Sequence, residues 1–137
     1  MSDRVFIDTN IIVYANDKRD PLKQRVAVQT ITEHMQEGSG VISVQVMQEY
    51  AAVAHSKLGQ APDVILRQLR LLEAFELVCI DPHLVRRAVE HQVLHRIAFW
   101  DACIIAAAEH AACRKLLSED LNPGQRYGDV KVVNPFS

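Results

Sequence analysis

Apolar and polar positions along this chain switch repeatedly between a strand-like and a helical period. Val5-Phe6-Ile7 is a short apolar run of the kind a buried strand shows, and polar Asp8-Thr9-Asn10 stops it. Residues 11–15 read as a short helix. Asp20-Pro21 then pairs an N-cap with a first-turn proline, and the helix after it has Ala27, Val28, Ile31 and Met35 on its predicted inner face. Gly38-Ser39-Gly40 closes that helix, and Val41-Ile42 is a second strand. Ser43 caps a third helix with an apolar stripe of Val46, Met47, Tyr50, Val53 and Ala54. After a break at 59–62, Ile65, Leu66, Leu69 and Leu72 mark a fourth helix that ends near Phe75. Residues 77–80 form a third strand, and Asp81-Pro82 starts a helix predicted to bury Leu84, Val85, Ala88 and Val89. Residues 99–113 differ in kind: from Ala102 to Ala108 the helix is apolar on every side, which predicts burial all round. Lys115-Leu116-Leu117 and residues 130–133 supply the fourth and fifth strands. Strands alternating with helices predict an α/β fold, a five-stranded parallel sheet flanked by helices on both faces.

Composition narrows the class. A length of 137 residues suits a single domain spanning 1–137, and 49% hydrophobic with 23% charged residues suits a globular core. With 15 Lys+Arg against 17 Asp+Glu the net charge is −2, so a nucleic-acid partner must be held by a local basic surface. The three cysteines form no Cys-x-x-Cys pair, and an odd count argues against a disulfide framework. A reducing, cytoplasmic setting is expected. No apolar run approaches the ~18 residues of a transmembrane helix, and no signal-like segment opens the chain, so no membrane role is expected.

The chemistry lies in acids that such a sheet gathers. Ligands of open parallel sheets bind beyond the carboxyl ends of the strands, near the point where strand order reverses. Asp8 follows the first strand and Asp120 the fourth, while Glu49 and Asp101 sit early in helices starting from the same edge. Singly, Asp8 reads as a helix cap, Asp101 as a first-turn carboxylate, Glu49 as a surface acid and Asp120 as a turn residue. Together they form a set that repels itself unless a cation neutralises it. All-oxygen donors favour Mg²⁺ or Mn²⁺ over Zn²⁺, and phosphodiester hydrolysis by metal-activated water is the reaction such an ion suits.

Four segments carry a resemblance: Val5-Phe6-Ile7-Asp8-Thr9-Asn10, Gln48-Glu49-Tyr50, Phe99-Trp100-Asp101-Ala102 and Leu117-Ser118-Glu119-Asp120-Leu121. In order and spacing they resemble the acidic motifs of PIN-domain nucleases, especially the VapC-like toxins of toxin–antitoxin pairs. Val132-Val133-Asn134-Pro135-Phe136 is similar to that family's final strand and tail. The resemblance implies a five-stranded parallel sheet, one or two Mg²⁺ or Mn²⁺ ions and cleavage of single-stranded RNA. It also implies a homodimer and an antitoxin partner. Carried over by position, Asp8, Glu49, Asp101 and Asp120 are the acidic set, with Asn10 and Ser118 as supporting polar groups. Alternation along the chain favours Asp120 over its neighbour Glu119, which is kept as the reserve acid.

Other candidates carry less. His91 and His95, four apart on a helix, lack a third ligand and read as a solvated or partner-facing pair. Lys57 and Arg96 are the basic residues nearest the expected cleft and are candidate phosphate contacts. Phosphatase and phosphoacceptor readings fail because Asn10 stands where a haloacid-dehalogenase-like enzyme needs a second Asp, and Asp81 reads as a cap. A PIN-like module that binds RNA or protein without cleaving is the remaining alternative.

Overall fold

The computed structural model describes residues 3–137. Among these residues are six strands and six helices: β1 (Val5–Ile7), α1 (Thr9–Ala15), α2 (Pro21–Glu37), β2 (Gly40–Ser43), α3 (Val44–Ser56) and α4 (Pro62–Leu72) come first. They are followed by β3 (Glu76–Val78), α5 (Pro82–His95), α6 (Phe99–His110), β4 (Lys115–Leu117), β5 (Arg126–Tyr127) and β6 (Val130–Val133). The sheet order is β3-β2-β1-β4-β6-β5. Every pairing is parallel except β5 with β6. The sheet therefore has six strands, not the expected five. The extra strand is a two-residue antiparallel edge, too short to leave a hydrophobic period.

From β1 the chain goes outward through β2 and β3, then returns to lay β4 on the other side of β1. The topological switch point lies between β1 and β4, where Phe6 faces Leu116 and Ile7 faces Leu117 in register. Both strands end there, so Asp8 and residues 118–120 leave the sheet side by side. Helices flank the sheet in two groups: α1 packs on α2 and α3, and α3 on α4, while α5 packs on α6. α6 rests on β2, β4 and β6, with Ala102 and residues 104–108 buried.

Local chemistry fixes the helix ends. Asp20 and Asp81 accept from the main-chain N–H of Lys23 and Leu84, each just ahead of a proline. Gly38 ends α2 in the left-handed region at φ 68°, and the Ser39 N–H reaches back to the His34 carbonyl. Arg96 ends α5 in the same region at φ 54°, an uncommon conformation for a side-chain-bearing residue. A β-carbon on Gly40 would come within 2.4 Å of the Phe75 ring, so β2 can lie there only as glycine. Gly40→Ala should destabilise the fold by about 1–3 kcal/mol, read as a lower denaturation midpoint with unchanged slope.

Some helix faces differ from the expected ones. In α5 the buried stripe is Leu84, Ala88 and His91, while Val85 and Val89 are half exposed and Val93 is exposed. Both stripes are helical in period, and α5 packs chiefly on α6, so one stripe suffices. Val28 of α2 and Leu66 of α4 likewise face outward. β3 begins at Glu76 and stops at Val78, leaving Cys79 and Ile80 exposed. Cys113 lies past the end of α6, buried, with its thiol pushed up to about 12 by that burial.

Candidate active site

Asp8 is the centre of the acidic group. It is only 6% exposed, because β1 ends in the middle of the sheet and α1 starts at once. Its carboxylate accepts from the Thr9 N–H at 2.7 Å and the Ser118 hydroxyl at 2.7 Å. The Asn10 amide donates to it at 3.3 Å. Burial nevertheless pushes the carboxyl up to about 6, with smaller contributions from the charges of Asp120 and Glu49. The Ser118 and Thr9 hydrogen bonds act the other way.

Asn10 joins the two strand ends. Its Nδ2 donates to Ser118 Oγ and to Asp120, each at 3.2 Å, and its Oδ1 accepts from the Glu119 N–H at 3.1 Å. The Asp120 N–H donates to Ser118 Oγ at 3.2 Å. β4 ends at Leu117, so residues 118–120 turn rather than alternate. The turn sorts the two neighbouring acids. Asp120 faces Asn10, whereas the Glu119 carboxylate accepts from Tyr14 Oη at 2.7 Å and from Lys23 Nζ at 2.5 Å.

Glu49 approaches from α3 and Asp101 from the first turn of α6. Thr9 donates its hydroxyl to Glu49 at 2.6 Å, and buried Gln45, one turn earlier in α3, bridges Glu49 and the Trp100 carbonyl. Burial, then the charges of Asp120 and Glu49, pushes the Asp101 carboxyl above its ordinary range. Asp8 and Asp101 thus both feel the charges of Asp120 and Glu49. Thr9 and Gln45 were not singled out from the sequence. The signals were available: Thr9 lies between Asp8 and Asn10, and Gln45 lies four residues before Glu49.

Lys57 is exposed at the end of α3 and lines a cavity of about 400 Å³ with Asp17, Arg19 and Gln60. Arg96 is exposed at the left-handed turn before α6. His91 and His95 are not a solvated pair. His91 is 2% exposed, its ring stacks on His95 at 5.4 Å, and its Nε2 lies 3.2 Å from Glu109, which Arg87 also holds. A cavity of about 750 Å³ lies at the opposite end of the strands, lined by residues such as Arg114, Lys115 and Lys131.

The donor set suits a hard cation. Its oxygens come from carboxylates, an amide and hydroxyls, and burial pushes the most buried acid up to about 6, a cost that a bound cation would offset. Among the described residues, no three His, Cys, Asp or Glu side chains close into a ready-made cage. An open arrangement fits Mg²⁺ or Mn²⁺, which bind through one or two carboxylates and keep several waters.

Comparison with known proteins agrees with this architecture. The family model described as PIN domain matches residues 5–127. The chain belongs to the PIN domain family. No curated protein sequence matches it. Among solved structures, this PIN domain is similar in fold to a toxin–antitoxin complex from Klebsiella pneumoniae, at 22% identity over 96% of this chain and 97% of that one, TM-score 0.71. It is also similar to Mycobacterium tuberculosis VapC20, a sarcin–ricin loop cleaving toxin, at 18% identity over 85% and 89% of the two chains, TM-score 0.71. A third likeness is to VapBC2 from Rickettsia felis bound to a promoter DNA fragment, at 18% identity over 93% and 96%, TM-score 0.68. No helix among the described residues of this PIN domain is long and apolar enough to cross a membrane.

Proposed function

We propose that this PIN domain, as one unit over residues 1–137, is a metal-dependent endoribonuclease acting as the toxin of a toxin–antitoxin pair. The observation that carries the reading is the convergence of acids at the β1–β4 switch point, where buried Asp8 is pushed up to about 6 and Asp101 is also raised, by burial first and then by the charges of Asp120 and Glu49. Asp8, Glu49, Asp101 and Asp120 would hold one or two Mg²⁺ or Mn²⁺ ions. When bound, such an ion polarises a phosphate oxygen and acidifies water. The chain's own groups do the rest. Ser118 and Asn10 hold the Asp8 carboxylate in one orientation, and Asn10 ties Asp120 to the same frame. Thr9 and Gln45 fix Glu49 from both sides. The similar solved structures, several of them toxin–antitoxin complexes, support an antitoxin partner. A homodimer and a cytoplasmic location go with that reading.

The test is cleavage of mixed RNA by the purified chain in Mg²⁺ or Mn²⁺ against a chelated control. Cleavage that needs metal supports the nuclease, and absence of cleavage at any metal concentration favours the non-cleaving binding module. Product ends test the chemistry. Hydrolysis by water should leave a 5′-phosphate and a 3′-hydroxyl, because among the described residues no histidine hydrogen-bonds any of the four acids as a base for the ribose 2′-hydroxyl would. A cyclic 2′,3′-phosphate would overturn that mechanism.

A further inference from the structure

Glu119 stands next to a proposed metal-binding acid and yet points away from the acidic set. What it points at is a built assembly rather than solvent. Its two carboxylate oxygens are used by two donors: Tyr14 Oη at 2.7 Å on Oε1 and Lys23 Nζ at 2.5 Å on Oε2. Lys23 Nζ also reaches Tyr14 Oη at 3.3 Å. The ammonium lies over the Tyr14 ring at 4.7 Å and the Phe136 ring at 5.5 Å from their centroids, and those two rings meet edge to face at 5.0 Å. Four segments meet here: α1, α2, the turn after β4 and the C-terminal tail.

The main chain of Glu119 connects this assembly to the acids. Its N–H donates to Asn10 Oδ1, and the same Asn10 donates through Nδ2 to Asp8, Ser118 and Asp120. The turn at 118–120 is therefore held from both sides, by Asn10 inside and by Lys23 and Tyr14 outside. Asp120 itself is exposed, and the hydrogen bond from Asn10 is the side-chain contact that fixes its carboxylate. A carboxylate so placed depends on the turn for its position. The Lys23–Glu119 pair is about one-third and one-quarter exposed, which screens it only partly, and both cation–π contacts shield the ammonium further.

We infer that Lys23, Tyr14 and Glu119, capped by Phe136, form a clasp of positioning residues that sets where Asp120 stands and so tunes the affinity of the acidic set for its divalent ion. This rests on the nuclease reading for the ion, but the position of the turn can be measured without one. Glu119 is on this account a fastener, not a metal ligand.

The experiment uses the full chain and the variants Lys23→Met, Glu119→Gln and Tyr14→Phe, with Lys23→Arg as the conservative variant. Amide hydrogen exchange without metal reads the turn directly. The Glu119 and Asp120 amides should exchange about tenfold faster in Lys23→Met, while the Ile7 and Leu117 amides in the sheet keep their wild-type rates. Mn²⁺ titration of the same proteins should show about a tenfold loss of affinity in Lys23→Met and Glu119→Gln, and recovery in Lys23→Arg. The double variant Lys23→Met with Glu119→Gln should lose no more than either single one, since both break one clasp. Wild-type exchange at 119 and 120 in Lys23→Met, or losses that add in the double variant, would overturn the clasp whatever the metal result. Faster exchange with unchanged Mn²⁺ affinity would overturn the tuning claim alone. A wild-type chain that takes no Mn²⁺ would defeat the nuclease reading and the tuning with it, while the exchange data still decide the clasp. Should Glu119→Gln fail to fold, Tyr14→Phe, which keeps the ring and removes only the hydroxyl, carries the same comparison.

Discussion

Replacing Asp8 or Asp101 by asparagine is expected to lower RNA cleavage on the order of 10³-fold or more while leaving the chain folded. An amide keeps the shape of the carboxylate but removes the charge a divalent ion needs. Several kcal/mol of lost transition-state stabilisation amount to that factor. Asp81→Asn is the matched control. Asp81 caps α5 by accepting from the Leu84 N–H at 2.9 Å, and asparagine caps equally well. Its activity should stay at the wild-type level. Circular dichroism on each variant separates loss of chemistry from loss of fold. Near wild-type turnover by Asp8→Asn in Mg²⁺ or Mn²⁺ would remove Asp8 from the site.

The second large effect is on stability, and its sign is opposite to that on activity. The Asp8 carboxyl stands at about 6 in the folded chain against an ordinary 3.8. Between those values the folded protein keeps a proton that the unfolded chain has released. The group's contribution is therefore full below about pH 4 and is lost as pH rises through about 6. Above that, ionised Asp8 costs the fold roughly 3 kcal/mol. Asp8→Asn removes the cost but cannot accept every hydrogen bond the carboxylate did, a loss of about 1 kcal/mol. Without metal at pH 7.5 the variant should therefore be more stable than wild type by about 2 kcal/mol. It should also lack the fall in stability between pH 4 and 6. Mn²⁺ should raise the wild-type melting temperature more than the variant's, at matched ionic strength. Equal shifts in both would mean that Asp8 holds no metal.

The two predictions rest on residues that differ in how plainly the sequence displays them. Asp8 is legible because a fully apolar triplet ends in a polar one, and a parallel sheet makes such an ending a ligand-binding edge. The apolar α6 is legible for the same reason, since burial on every side leaves no polar stripe. Residues whose role depends on a partner far along the chain are not legible from period alone. The split between Asp120 and Glu119 comes from Asn10, Tyr14 and Lys23, and each lies about 100 residues away. α5 offered two equally helical apolar stripes, and only the placement of α6 decides that Leu84, Ala88 and His91 go inward. The polarity of His91 suggests solvent, whereas in the interior Glu109, itself held by Arg87, meets one of its ring nitrogens. The strand Arg126–Tyr127 owes its existence to pairing with β6, and two residues carry no period of their own.

The position of β1 between β2 and β4 has a consequence for how the protein is made. β1 is made well before β4, and its β4 edge stays unpaired until residues 115–117 have been added. Asp8 then waits for Ser118, 110 residues later, before its carboxylate receives that hydroxyl. At about 5–20 residues per second, translation holds the two halves of the pocket apart for several seconds or more. A nascent chain or fragment that ends before β4 carries Asp8 without the Ser118 hydroxyl and lacks Asp120 altogether. Whatever chemistry the acids perform therefore needs the last strands closed on the first, and a chain released before β4 is expected to be inert.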